Sequence, residues 1–319
     1  MNFPVFDLHC DTAFALLGGN GNPAQELFSN SLHIDLTRAS NLPGYCQCFA
    51  CFTTPFMEKW GAGTPQEIFQ RELQVILSQI EKNRERISLA HTPEEIENNL
   101  KEGKCSAVLT IEGPAGFDYD VGRLEELYKI GFRMTTLGWN ESNPLAGSHK
   151  TGEGLTEQGK AFVKEAQRLG MLIDVSHISD KAFWDIMDIT QGPVVASHSN
   201  SRKVFDVSRN LTDDMFLAIC RTGGVAGLNM YSDFIADNAT VQDACRHVLH
   251  WLELDPDGKH ISLGGDLDGC EALPQGIEGI HDYPKLSAAL LAQGVSEEII
   301  LNIFWRNAIG VMKNAVCNH

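Results

Sequence analysis

The sequence predicts an α/β fold, a (β/α)8 barrel of the TIM type. Eight short apolar runs rich in β-forming residues alternate with helix-length amphipathic segments along 319 residues. That count and that length are typical of a barrel in which each parallel strand leads into a helix. A doubly wound open sheet is the second candidate. No Gly-rich phosphate loop opens any predicted helix, which weighs against the nucleotide-binding forms of that fold.

Each element is delimited by its own sequence signals. The predicted strands span residues 5–8, 47–52, 106–111, 134–139, 172–176, 194–197, 224–230 and 261–264. The predicted helices span 65–86, a segment opening at 92–95, 123–130, 156–169, 179–187, 212–220, 238–252, 284–293 and 296–314. The start at Thr92 combines an N-cap threonine, a proline at the first helical position and acidic residues in the first turn. Gly170 stops one helix, and Thr212 caps another.

The chain shows no linker, low-complexity tract or internal repeat. We therefore expect residues 1–319 to form one barrel domain, with an irregular excursion at about 18–45 and a C-terminal helix. The excursion is rich in Gly, Asn, Ser and Pro, and we expect it to cross the top of the barrel after the first strand.

Composition narrows the class of partner and the compartment. A formal net charge of −17 argues against a nucleic-acid partner, which requires clustered Lys and Arg. Neither a secretory signal nor an apolar run of spanning length is visible, so we expect no membrane association. Nine scattered cysteines fit reduced thiols in the cytoplasm. Cys46, Cys48 and Cys51 are close together, but without a second cluster we interpret them as strand thiols.

The most informative motif is His9-x-Asp11, directly after the first apolar run. Side chains two apart in a strand share a face, so the two are expected to point the same way. Alone, such a pair is more often a surface histidine beside a turn aspartate. Other strand ends, however, carry matching groups. The third, fifth, sixth and eighth runs are followed by Glu112, His177, His198 and Asp266, respectively.

These residues predict a metal centre, because strand ends meet at one rim of a barrel and chemistry sits there. Histidine and carboxylate ligands fit zinc, manganese or iron better than calcium. Five strong ligands exceed what one catalytic zinc uses, so two divalent ions, with zinc as the expected metal, are favoured over one. Glu112 can bridge two cations that hold a hydroxide as nucleophile. Asp266 is then suited to be the general base.

The motifs resemble those of the renal (membrane) dipeptidase family of zinc peptidases, within the amidohydrolase-like barrels. The similarity runs over nearly the whole chain and rests on FDLHCDT, IEGP, GLTEQGK, GMLIDVSH, VVASHSN, SRNLTDD and GGDLDG. The resemblance implies that His9 and Asp11 bind one zinc ion and that His177 and His198 bind the other. It also implies that Glu112 bridges them and that Asp266 handles the proton.

The resemblance extends to the substrate side of the site. Arg209 looks like the family's arginine that clamps the terminal carboxylate of a dipeptide, a role that suits its planar fork. A surface salt bridge is the alternative for this arginine. Tyr231 falls where the family lines its pocket with a tyrosine. Trp139 stands where well-known members have a substrate-binding histidine, and indole cannot accept a proton. His149, nearby in sequence, is a candidate to compensate.

The sequence therefore predicts a zinc-dependent hydrolase, a metallopeptidase that cleaves dipeptides, including those with a C-terminal D-residue as the resemblance implies. Trp139 keeps open an alternative: a binuclear amidohydrolase acting on another small amide, a lactam or an N-acyl amino acid. A catalytically weak barrel that only binds its ligand is a third hypothesis, disfavoured by the intact Asp266. The expected partner is a small dipeptide, and family analogy suggests a homodimer.

Overall fold

The computed structural model describes residues 3–18 and 24–316. Its strands are short, and nearly all of their residues are buried. The nine strands of these ranges are β1 (Val5–Cys10), β2 (Tyr45–Phe52), β3 (Ile87–Leu89), β4 (Cys105–Glu112), β5 (Phe132–Thr136), β6 (Leu172–Asp174), β7 (Val194–Val195), β8 (Ala226–Leu228) and β9 (Ile261–Leu263).

Helices follow the strands in alternation. They are α1 (Thr12–Leu16), α2 (Leu36–Ala39), α3 (Pro65–Lys82), α4 (Pro93–Lys101), α5 (Leu124–Ile130), α6 (Glu157–Arg168), α7 (Asp180–Met187), α8 (Asp213–Arg221), α9 (Val241–Leu254), α10 (Tyr283–Ala292), α11 (Glu297–Leu301) and α12 (Asn307–Val316). A π-helical turn, Asn302–Arg306, joins the last two. Short 3-10 helices span Pro114–Phe117, Val121–Arg123, Ser232–Phe234 and Ile280–Asp282. Side-chain caps support these boundaries, as at Thr92 and Thr212.

Eight of the strands form a parallel barrel, as predicted. Their order is β7-β6-β5-β4-β2-β1-β9-β8, and a parallel bridge between Ala196 and Ala226 joins the two ends. This closure excludes the open doubly wound sheet. The sequence-based strand count missed β3, which pairs only with β4 and lies outside the ring. Its residues directly follow the predicted helix 65–86, which the structure ends at Lys82.

The barrel is closed at its lower end by the C-terminal helix. A buried cluster inside the ring contains Phe6, Leu8 and Val108, together with Trp305 and Met312 from the C-terminal helical segment. The Phe6 and Trp305 rings lie 6.0 Å apart. A larger cluster fills the space between the strands and the surrounding helices. Because the lower half of the interior is largely apolar, most of the ionisable side chains inside the barrel gather at the carboxyl ends of the strands.

Most of the predicted excursion after β1 lies within the described residues. Residues 19–23 lie outside the described residues, whereas residues 24–45 contain α2 and contact the loop after β9. There the His33 backbone N–H donates to Asp268 Oδ1 (2.6 Å), and the Asp268 N–H donates to His33 Nδ1 (2.9 Å). Within the described ranges, no helix combines the length and the apolar composition needed to cross a membrane.

The three closely spaced cysteines lie in β2, and all are buried. Cys46 and Cys48 belong to the cluster inside the barrel, while Cys51 belongs to the layer under the helices. They therefore face two different sides of the sheet and do not converge, in agreement with their interpretation as strand thiols.

Candidate active site

His9 and Asp11 converge at the end of β1, but not by the strand alternation that the sequence predicted. The pairing register of β1 with β2 slips between Asp7 and Cys10. Asp11 lies beyond the strand, as the N-cap of α1, with φ −102° and ψ 24°. Such an irregularity redirects side chains at a strand end. His9 Nε2 lies 3.7 Å from Asp11 Oδ2 as a result.

Glu112 lies at the centre of the cluster, at the carboxyl end of β4. Its Oε2 lies 3.2 Å from His9 Nε2. Its Oε1 lies 2.8 Å from His177 Nε2 and 3.9 Å from His198 Nε2. The two carboxylate oxygens therefore face two different groups of histidines, which is the geometry that a bridging carboxylate requires. All four residues are nearly inaccessible to solvent.

The histidines after β6 and β7 are held in the tautomer that leaves Nε2 free. His177 Nδ1 lies 3.0 Å from Asn140 Oδ1, an acceptor, so the ring proton is on Nδ1. His198 Nδ1 lies 2.6 Å from Ser197 Oγ, and that hydroxyl donates to the Asp174 carboxylate. Ser197 therefore accepts from His198. Both Nε2 atoms carry lone pairs, and they lie only 2.9 Å apart.

This arrangement fits divalent cations. Two lone-pair nitrogens at that distance repel each other unless a positive charge lies beside them. Among the described residues, His9 Nε2, Glu112 Oε2 and Asp11 Oδ1 are buried without a hydrogen-bond partner. Unsatisfied buried polar atoms are costly, and a metal ion would satisfy all three. His9 belongs to two sets of three side chains whose ligand atoms lie within 4.8 Å of one another, close enough to bind one ion. One set contains Glu112 and His198, and the other contains Asp11 and Asp266.

The electrostatics of the cluster point the same way. Burial and the Asp11 carboxylate, only partly opposed by His9, raise the pKa of Glu112 to about 8. Burial lowers the pKa of both His177 and His198 well below the usual range, so these rings are neutral. Three buried carboxylates crowded around His9 and two neutral imidazoles leave the site short of positive charge, and divalent cations would supply it.

Asp266 follows β9 in a strained backbone conformation. Its φ is 57°, in the left-handed region, as is that of His177 at 72°. Such strain costs about 1–3 kcal/mol per residue and is common at functional sites. Asp266 Oδ2 accepts a hydrogen bond from Asn229 Nδ2 (3.0 Å), and Oδ1 lies 3.8 Å from His9 Nε2. Burial, against the opposing effect of His9, raises the pKa of Asp266 to about 6.

Arg209 is buried, with 4% of its surface exposed, rather than paired with an acidic residue at the surface. Its Nη1 donates to Ser199 Oγ (3.1 Å), and its Nη2 donates to the His198 carbonyl (3.3 Å). In the described part of the chain, Nε has no partner. The guanidinium packs 5.4 Å from the Phe234 ring centroid, and Tyr231 contacts that ring at 4.8 Å. Tyr231 therefore lies on the Arg209 side of the site.

Trp139 follows β5, on the other side of His177 from Arg209, which follows β7. The Trp139 and His177 ring centroids lie 6.2 Å apart. His149 also reaches the site. Its Nε2 lies 2.9 Å from Asn140 Oδ1 and its Nδ1 lies 2.8 Å from Ser208 Oγ. Burial and the positive charge of Arg209 lower the pKa of His149 to about 3, so its ring is neutral. Every residue predicted for the site thus lies at the upper rim of the barrel.

The whole chain matches a known family: residues 1–318 match the membrane dipeptidase family, Peptidase family M19. The chain belongs to this family. The resemblance drawn from the sequence motifs is therefore confirmed, and the family is one of metallopeptidases.

The relatives of this protein match different fractions of its chain. A metallo peptidase from Rhodobacter sphaeroides, solved with a phosphinate mimic of the dipeptide L-Ala-D-Ala, is 26% identical, with a TM-score of 0.88 over 99% of this chain and 100% of that one. An uncharacterized protein in the pqqA 5′ region of Klebsiella pneumoniae is 33% identical over 266 residues, which is 79% of this chain and 97% of the relative. An uncharacterized dipeptidase from Schizosaccharomyces pombe is 33% identical over 215 residues, 65% of this chain. The match spans only about half of that yeast protein, 53% of its length.

Several groups that support the site in this dipeptidase-family chain were not found from its sequence. Asn140, Ser197 and Asp174 fix the histidine tautomers, and Asn229 holds Asp266. Asp7 is buried and accepts hydrogen bonds from the backbone N–H groups of His9 and Gly265 and from the Tyr283 hydroxyl. A usable signal existed for two of them, because Asp174 lies within the predicted strand 172–176 and Ser197 closes the predicted strand 194–197.

Proposed function

We propose that the protein is a metal-dependent dipeptidase that hydrolyses the peptide bond of short dipeptides, including those with a C-terminal D-residue. The observation that carries the proposal is Arg209, a buried guanidinium beside the histidine cluster whose hydrogen bonds go only to neutral oxygens. A buried charge is costly unless it is paired, and the carboxylate of a bound dipeptide supplies the pair. The relative solved with a mimic of L-Ala-D-Ala supports the D-residue.

The residues of the cluster divide into two ligand groups around Glu112. In this proposal His9 and Asp11 would hold one divalent ion, His177 and His198 would hold the other, and Glu112 would contribute a carboxylate oxygen to each. Zinc is the expected metal, since imidazole and carboxylate ligands suit it. When bound, the ions would polarise the scissile carbonyl and lower the pKa of the attacking water.

Asp266 handles the proton of the reaction. Hydrolysis adds a water oxygen to the carbonyl carbon, breaks the C–N bond and delivers a proton to the leaving amine. A carboxylate held by Asn229 beside His9 can take the proton from the water and pass it to that amine. Arg209 meanwhile holds the carboxylate end, which fixes the position of the scissile bond.

The test pairs Arg209→Ala with two substrates, Ala-Ala and Ala-Ala amide, in the zinc-loaded protein with metal content measured on the same sample. Loss of a buried charge pair predicts a drop in kcat/KM for Ala-Ala of about a hundredfold or more. The amide lacks the carboxylate, so the variant and the wild type should cleave it at similar, low rates. Arg168→Ala, at an exposed pair with Glu165, is the matched control. Absence of dipeptide hydrolysis by the loaded wild type overturns the proposal.

The second candidate is hydrolysis of another small amide, a lactam or an N-acyl amino acid at the same centre. It is favoured by Trp139, an indole where well-known family members have a histidine. His149 is not free to take the role of the missing histidine, because both of its ring nitrogens are already hydrogen-bonded. Activity on such an amide that survives Arg209→Ala would select this candidate.

The remaining expectations are part of the same proposal. We expect the whole chain to act as one catalytic domain, and the Rhodobacter relative, which it matches over 99% of its length, supports this. A cytoplasmic location and a homodimer stay predictions.

A further inference from the structure

Five aromatic side chains form a continuous patch at the upper rim, which we call the aromatic wall: Phe14, Phe52, Phe56, Trp60 and Trp139. The Phe52 ring contacts Phe14 at 5.9 Å and Trp139 at 5.3 Å between centroids. Trp60 contacts Trp139 at 5.6 Å, and Phe56 contacts Trp60 at 6.2 Å. The rings are largely edge-to-face, a favourable arrangement that makes the wall a fixed surface.

The aromatic wall adjoins the metal-ligand cluster directly. Phe52 is the residue of β2 that pairs in register with Glu112 of β4. Trp139, which follows β5, lies 6.2 Å from the His177 ring. The two central rings of the wall are therefore neighbours of the proposed bridging carboxylate and of a proposed histidine ligand. A substrate whose scissile bond lies at the cluster has this surface beside it.

The wall lies opposite Arg209 across the barrel. In the ring order β1-β2-β4-β5-β6-β7-β8-β9, the wall is built from the segments that follow β1, β2 and β5. Arg209 follows β7, and Phe234 and Tyr231, beside it, follow β8. These two sectors face each other, with the cluster between them. A dipeptide with its carboxylate on Arg209 and its peptide bond at the cluster would extend its amino-terminal residue toward the wall.

The outer part of the wall is free to receive that residue. Trp60 is 50% exposed and Phe56 is 38% exposed, which is unusual for such large apolar side chains. Beside the wall, Glu141 accepts a hydrogen bond from Thr54 Oγ1 at 3.1 Å. This carboxylate places negative charge at the edge of the apolar surface. The combination favours a large apolar side chain and disfavours an acidic one.

We infer that the aromatic wall is the subsite for the amino-terminal side chain of the substrate, and that it selects large apolar residues there. The inference rests on the proposed dipeptidase function and adds the substrate class. Phe14, Phe52 and Trp139 form its floor, and Phe56 and Trp60 form its outer edge. Aromatic or branched aliphatic residues would cover rings that are otherwise left to solvent.

The experiment compares Phe-Ala, Ala-Ala and Glu-Ala as substrates of the metal-loaded wild type, Trp60→Ala and Phe56→Ala proteins. The wild type should show the highest kcat/KM for Phe-Ala and the lowest for Glu-Ala. Each substitution should lower the ratio of Phe-Ala to Ala-Ala by about five- to tenfold, the effect of one aromatic contact. Phosphinate mimics of the first two dipeptides should show the same change in the ratio of their inhibition constants.

Trp184→Ala is the matched control, because Trp184 is 40% exposed but lies on α7, away from the wall. It should leave the ratio unchanged. Consider a wild type that cleaves Ala-Ala while neither Trp60→Ala nor Phe56→Ala alters the ratio of kcat/KM for Phe-Ala to that for Ala-Ala. That result would overturn the subsite and leave the dipeptidase proposal intact. The same result, accompanied by a change from dimer to monomer in sedimentation, would assign the wall to a second copy of the chain. If the wild type hydrolyses none of the three, both proposals fail.

Discussion

The side-chain oxygen of Asn140 accepts a hydrogen bond from Nδ1 of His177, with the two atoms 3.0 Å apart. This contact fixes both the orientation of the imidazole and the nitrogen that carries its proton. The same oxygen lies 2.9 Å from His149 Nε2, so one amide orients two rings of the site. Groups that orient a metal-binding histidine from behind commonly tune its affinity for the metal.

Asn140→Ala should therefore weaken metal binding. Without the acceptor, the His177 ring can rotate or take the other tautomer, and the expected loss of affinity is about ten- to a hundredfold. Titration of the metal-free protein with zinc against a competing chelator measures it. Asn98→Ala, on the exposed side of α4, serves as the control. Equal affinities of the wild type and Asn140→Ala would mean that the contact does not support a metal ligand.

Asp266→Asn should abolish most of the turnover without emptying the site. An amide keeps the size of the side chain but cannot take up a proton, so kcat should fall by about two to four orders of magnitude. The KM should change little, because Arg209 still binds the substrate. Steady-state kinetics with metal content measured on the same samples separate the two roles. A large loss of bound metal in this variant would make Asp266 a ligand rather than the proton carrier.

The metal-free protein should become less stable as the pH rises from 6.5 to 8. The folded-state pKa of Glu112, about 8, is above its usual 4.5. Burial disfavours protonated His9, but the Glu112 and Asp11 carboxylates together outweigh burial and raise the pKa of that imidazole well above 6.5. In this window the folded state binds more protons than the unfolded state, so the free energy of unfolding falls with rising pH. His177 and His198, with lowered pKa values, act in the opposite direction; their effect is largest below pH 6.5 and fades above it as the unfolded-state imidazoles lose their protons.

Thermal unfolding at a series of pH values in chelator measures this dependence. Glu112→Gln should reduce the slope, because its side chain does not titrate. Zinc in excess should remove most of the slope, since the cations hold the carboxylate ionised. A melting temperature of the metal-free wild type that rises between pH 6.5 and 8 would contradict the assigned shifts.

The sequence allowed the barrel and the rim to be predicted because both follow from local patterns. Apolar runs and caps identify strands and helices, and a polar residue at the end of a run is placed at the rim by the fold itself. The convergence of His9 and Asp11 was predicted for the wrong reason. A register slip after Asp7 and the turn into α1 bring them together, and neither can be derived from alternation.

The groups that tune the site could not be predicted in the same way. Asn140 contacts His177 across 37 positions of sequence, and Asp174 contacts Ser197 across 23. Such contacts depend on how loops from different strands pack, which no single segment encodes. The aromatic wall is a similar case, because its rings come from three segments that meet only in the closed barrel. The short β3 was missed because its first residue directly follows the segment predicted as a helix at 65–86.

Gly113→Ala should disturb the site through the backbone, because Gly113 directly follows Glu112. Its φ is 78°, and an added Cβ would overlap the backbone oxygen of Thr53. The left-handed conformation and the steric overlap together predict a loss of about 2–5 kcal/mol in the free energy of unfolding. Zinc affinity should fall as well, since Glu112 would shift.

Gly310→Ala is the matched control: no atom lies within 4 Å of the added Cβ. In helix α12 it should stabilise the protein by about 0.5–1 kcal/mol. Chemical denaturation of both variants, with and without zinc, gives the comparison, and a Gly113→Ala protein as stable as the wild type would show that the strand end can move without cost.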